Sequence, residues 1–170
     1  MKLKTFFFFG LLFVSSRLLW AQSVTKNVRV SFEIEPVTVI KVSSQAGVSA
    51  VRLGPLSPRA DISPEPLEVS IMTNTRDRYR VYHVLREGVT NSAGTQFPFN
   101  RLLFMASSGT EGGKSEIPSF TKIPQDEIPI FTSKPEGGPD TFQIIYSVDN
   151  KELFSAGFYY GNIHIHLRNE

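Results

Sequence analysis

The residues of this chain whose types and spacing suit chemistry are its three histidines, a knot of arginines and five tyrosines. His164 and His166 stand two apart in NIHIHL, which puts both imidazoles on one face of a strand, where they could hold a metal ion with Asn162 and the more distant His83. Plain polar alternation along a half-exposed strand produces the same pattern, and two histidines without further ligands make a weak metal signal, so no metal or cofactor is expected. Arg76, Asp77, Arg78 and Arg80 cluster at a turn, which reads as a recognition loop or, more simply, as a solvated turn with a local ion pair. Tyr79, Tyr82, Tyr146, Tyr159 and Tyr160, with the phenylalanines, could build a sugar-binding platform, but large β-prone rings more often fill and edge a core.

Signatures of catalysis are missing. The chain has no cysteine, which removes thiol nucleophiles, thiolate metal sites and disulfides together. It holds no Gly-x-Ser-x-Gly elbow, phosphate-cradling glycine loop or His-Glu-x-x-His, and no paired carboxylates in a glycosidase-like setting. A protein without enzymatic activity is expected.

The elements that would position these residues are strands. Gln22 to Glu35 alternates with Val28, Val30, Phe32 and Ile34 on one side and polar residues on the other, and Pro36 ends the run. Val37 to Val42 resumes a β-branched strand, and Val51 to Leu53 is a short one. Leu67 to Thr73 alternates, Asn74 to Asp77 is turn chemistry, and Tyr79 to Leu85 returns, which predicts a central hairpin. Leu102 to Met105 is a short apolar strand, and SSGTEGG (107–113) is flexible by composition. Five prolines punctuate 117–139, which predicts a low-regularity segment folded over one edge of a sheet. Residues 141–167 read as two strands joined by a polar turn region; in the second, from Tyr159 to Leu167, Ile163, Ile165 and Leu167 oppose Asn162, His164 and His166. No long window has helical periodicity free of proline or glycine, so the chain predicts an all-β sandwich of antiparallel strands.

The first residues read as an address. Lys2 and Lys4 precede an apolar run from Phe6 to Val14, and Ala21 offers a cleavage point, which predicts a secretory signal over 1–21 and a single sandwich domain over 22–170. The run is too short for a stable membrane span. Lys2, Lys4 and Arg17 leave with that segment, so the 18 basic residues fall to 15 against 16 acidic ones. The pI of about 8.9 then reflects the signal, and a nucleic-acid partner is not expected.

VTKNVRVSFEIEPVTVIKV (Val24 to Val42) resembles the opening of the cysteine-free alpha-type fimbrial major subunits, and AGFYYGNIHIHL (Ala156 to Leu167) is similar to the final strand of many fimbrial and other bacterial surface sandwiches. The middle of the chain, including TNTRDRYRVY, follows no such pattern. The resemblance implies an immunoglobulin-like antiparallel β-sandwich, exported to the periplasm or cell surface, that acts as a structural or adhesive subunit. In such subunits the N-terminal strand enters a neighbour's groove, a form of β-augmentation, and Val28, Val30, Phe32 and Ile34 would be the side chains that fill it. The partners would be further copies or other surface subunits, with a chaperone as an additional candidate. The alternative is a monomeric periplasmic or cell-surface module that binds glycan or protein through loop tips and aromatic rings.

Overall fold

The computed structural model describes residues 29, 31–44, 47, 53, 65–149, 154 and 157–170; the segment expected to be a secretory signal lies outside the described residues, as do Val28 and Val30. The chain divides into two units, Met1–Ile34 and Glu35–Glu170, and every described strand belongs to the second. In chain order these are β1 (Thr38–Ser44), β2 (Leu67–Thr73), β3 (Tyr79–Val84), β4 (Thr90–Asn91), β5 (Leu102–Ala106), β6 (Lys114–Ser115), β7 (Thr121–Lys122), β8 (Ile128–Thr132), β9 (Asp140–Val148), β10 (Tyr159–Tyr160) and β11 (His164–Asn169).

They build two antiparallel sheets, one ordered β1-β2-β9-β5-β7 and the other β11-β3-β8-β6, with β4 and β10 as a small separate ribbon. Alternation in the sequence drives this layout. Leu67, Val69 and Ile71 of β2, Phe142, Ile144 and Tyr146 of β9, and Leu102 and Phe104 of β5 all turn inward and are buried. Tyr79, Val81 and His83 of β3 and Phe131 of β8 meet them from the second sheet. The rings of Phe131 and Phe142 stack across the gap at 4.2 Å and His83 lies 4.8 Å from Phe104, so the two sheets share one core. Each large side chain removed from water stabilises the sandwich by about 1.5–3 kcal/mol.

Several expectations are corrected. Leu67–Leu85 is not a hairpin: β2 pairs with β1 and β9, whereas β3 pairs with β11 and β8. Both strands carry an apolar face, and placing those faces on opposite sides of one core buries more surface than pairing them edge to edge. The link between them is pinned at both ends. Asn74 accepts from the Val37 amide at 2.7 Å and donates to the Glu35 carbonyl at 2.9 Å. Gly137, at φ +60°, packs so closely on the Asp77 carbonyl that no Cβ fits there. The strands at 141–167 are separated in the same way, with β9 in the first sheet and β11 in the second. The run from Tyr159 to Leu167 is also broken, because β10 pairs with β4 and β11 begins only at His164.

The proline-rich stretch contributes a central strand as well as an edge. β8 runs between β3 and β6, and its Pro129 stands opposite Tyr82, where the register shifts between Val81 and Tyr82. A bulge relaxes the demand for a ladder N–H, which is how a proline fits inside a sheet. Residues 107–113 are held rather than loose. The buried Asp140 carboxylate accepts from the amides of Glu111 (2.9 Å), Gly113 (2.9 Å) and Thr141 (2.8 Å). In the run expected as a strand over 22–35, residues 31–35 are not in a strand, since a strand without a ladder partner is marginal.

Candidate functional site

The most unusual surface is one side of the sandwich. On the far side the sheets are tied together, because Ala106 of β5 donates to the Ile117 carbonyl and accepts from the Ser115 hydroxyl of β6. β11 stands at the other end of its sheet, paired with β3 alone, and among the described residues no strand pairs with its outer edge. Register fixes which of its side chains face inward. Ile165 lies opposite His83 and Leu167 opposite Val81, both core residues, yet Ile165 and Leu167 are only partly buried. Ile40 of β1 lies opposite the buried Ile71 in the facing sheet and is likewise partly buried. Apolar side chains that pack against the core yet stay only partly buried mark the side where, among the described residues, the core is least completely covered.

The residues singled out for strand exchange are placed as follows. Phe32 and Ile34 are exposed, at 81% and 71% of their surface. Val28 and Val30 lie outside the described residues.

The histidines part company. His83 is fully buried, stacked on Phe104, with Nε2 3.1 Å from the Tyr146 hydroxyl, and loss of hydration lowers its pKa to about 4. Burial also raises the Tyr146 phenol, and burial followed by the nearby Asp140 charge pushes Tyr79 up to about 12. These three are neutral core groups at ordinary pH. His164 and His166 do share the outer face of β11, but among the described residues no group of three or more His, Asp or Glu side chains is arranged to hold a metal. His166 stacks on Tyr82 at 5.6 Å and lies 3.1 Å from Glu127, whose other oxygen takes Arg168 at 2.7 Å. The Arg168 guanidinium in turn sits 4.7 Å over the Tyr82 ring, a cation–π contact.

Tyr79 and Tyr146 fill the core, Tyr159 edges it against Phe97, and Tyr160 is exposed, so the five tyrosines do not form one platform. The arginine knot is not a local ion pair with Asp77. Glu170 instead bridges Arg78 at 3.3 Å and Arg80 at 2.8 Å. The half-covered Ile40, Ile165 and Leu167 were missed as site residues, because alternation assigns them to a core face without saying how completely the core is covered there.

No protein-family model matches the chain, and comparison with curated proteins finds no match.

Proposed function

We propose that this protein is an exported, non-enzymatic structural or adhesive subunit of fimbrial type, with an immunoglobulin-like sandwich, that assembles when the N-terminal strand of one copy adds to the β11 edge of another. The observation that carries this reading is the outer edge of β11, which has no strand partner among the described residues, beside the half-covered Ile165 and Leu167. A strand added there would extend the ladder of the second sheet and cover that side of the core. The chain's own segment 24–35 has the required chemistry. Val28, Val30, Phe32 and Ile34 recur at every second residue, about 6.8 Å apart in an extended strand, and so present four apolar side chains to one face. Two of them, Phe32 and Ile34, stand exposed, and burying each in a neighbour would contribute about 1.5–3 kcal/mol.

The test is the solution mass by light scattering of the intact protein and of a form lacking residues 22–35. Assemblies that disappear on truncation support strand exchange, whereas an intact protein that stays monomeric at all concentrations refutes it and favours the single-copy binding module. Mass spectrometry of the exported chain checks the expected cleavage after Ala21.

A further inference from the structure

Register places Arg168, Arg80, Thr132 and Lys114 side by side across β11, β3, β8 and β6 on the outer face of the second sheet. Three of the four are cations, and Arg168 lies directly opposite Arg80. Like charges facing each other across a ladder destabilise it. At one end of the row the repulsion is relieved by carboxylates, with Glu127 on Arg168 and Glu170 on Arg80 and Arg78. At the other end the relief runs out. Glu116 faces the row there and accepts a hydrogen bond from the Thr132 hydroxyl at 2.6 Å. Among the described residues neither Lys114 nor Lys134 enters an ion pair.

At that end the surface sinks into a cavity of about 150 Å³, lined by Arg78, Lys114, Glu116, Thr132, Ser133 and Lys134 among others. Its floor is rigid. Ser133 accepts from the Tyr79 amide at 3.0 Å and donates to the Lys134 carbonyl at 3.0 Å, so the hydroxyls are committed to the fold while the ammonium groups are not. The rim is built by the same loop that Asp140 pins through Glu111 and Gly113. The space is far below the roughly 300–1,000 Å³ of pockets for drug-sized ligands. It suits one small charged group, with the two ammonium groups of Lys114 and Lys134 against the Glu116 carboxylate, and Arg78 at its edge already paired with Glu170.

We infer that this recess binds the carboxylate or sulfate group of an acidic ligand, with Lys114 and Lys134 as the main contacts and Arg78 as the third. The inference is independent of strand exchange, because the recess lies on residues 78–135 and involves none of residues 22–35.

The test is thermal unfolding of the intact protein at fixed ionic strength with sodium sulfate, sodium glucuronate, sodium chloride or glucose. A ligand that binds only the folded state raises the unfolding temperature by an amount that grows with the logarithm of its concentration once that exceeds Kd. Sulfate or glucuronate is expected to add an increment that chloride and glucose do not, and K114Q/K134Q to weaken the binding by about tenfold or more, as loss of charge-assisted hydrogen bonds does. K122Q, on an exposed lysine of β7, serves as the control and keeps the full increment. A response to glucuronate alone assigns the recess to carboxylates, to sulfate alone to sulfate esters, and to both to small anions in general. An increment equal in wild type and K114Q/K134Q, which is what general salting effects give, overturns the inference, as does the absence of any increment with either anion.

Discussion

His83 Nε2 and the Tyr146 hydroxyl meet at 3.1 Å, one from each sheet, in a part of the core where neither ring has access to water. The pair joins β3 to β9 by a polar contact set among Phe104 and other rings. Such a contact fixes which residues face each other but makes the core sensitive to protons.

The first expectation follows from that sensitivity. In the unfolded chain His83 takes up a proton below about pH 6.5, whereas in the folded protein it resists to about pH 4. Above 6.5 the side chain is neutral in both states and its contribution is complete. Between 6.5 and 4 the unfolded state binds more protons, so stability falls with pH, by on the order of 3 kcal/mol over the window. Urea unfolding of wild type and His83→Phe across this range measures the effect. The variant loses the Tyr146 contact and is weaker at pH 7, but its stability should fall less steeply on acidification. Parallel curves would show that His83 is not the group responsible.

Asp140 is expected to be the keystone of the 107–113 loop. Asp140→Asn places an amide group where oxygens now accept from Glu111, Gly113 and Thr141, and should cost about 2–4 kcal/mol. Gly113→Ala should be at least comparably harmful, because a Cβ there collides with the Phe131 ring. Thermal unfolding gives the cost, and hydrogen exchange at the Glu111 and Gly113 amides reports the loosened loop. Unchanged exchange in Asp140→Asn would refute the assignment.

Phe32→Asp/Ile34→Asp separates assembly from folding. Both side chains are exposed, so the unfolding temperature of the single copy should stay within the small range typical of surface changes. Assembly by strand exchange should be abolished, since two charges would enter an apolar cleft. Light scattering that finds the same assemblies in the variant would rule these residues out.

Glu170→Ala is expected to matter little at physiological salt. Its pairs with Arg78 and Arg80 are partly exposed, and such pairs contribute up to about 1 kcal/mol, less as salt is added. Unfolding at low and high salt should show a small difference that shrinks with ionic strength. A large, salt-independent loss would mean that Glu170 supports packing as well as charge.

Much of the strand layout was legible because alternation is local. The inward set of β2 and the inward set of β3 can each be read directly from the chain. What alternation does not encode is the partner. Leu67–Thr73 and Tyr79–Val84 look like a hairpin because five residues join them, and only the shared core shows that they belong to different sheets. β8 was hidden by Pro129, whose tolerance depends on a bulge formed with a strand almost fifty positions earlier. The glycine-rich loop read as slack because its restraint comes from Asp140, which follows it by about thirty residues. The candidate site was half legible. Phe32 and Ile34 could be picked out as one face of a run, but Lys114 and Lys134 become neighbours of Arg78 only through the pairing of β6 with β8 and of β8 with β3.

The pairing of β3 with β11 also governs when the fold can form. Its partners are separated by between 80 (164 − 84) and 90 (169 − 79) positions, so closing that ladder carries the entropy of a long loop before any contact offsets it. Topologies of this kind fold in about milliseconds to seconds rather than microseconds. Until residues 164–169 are present, β3 lacks one of its two neighbours and the second sheet cannot be completed. A chain emerging from its N-terminal end can therefore supply every strand of the first sheet by Val148, but completes the second sheet only when β11 arrives.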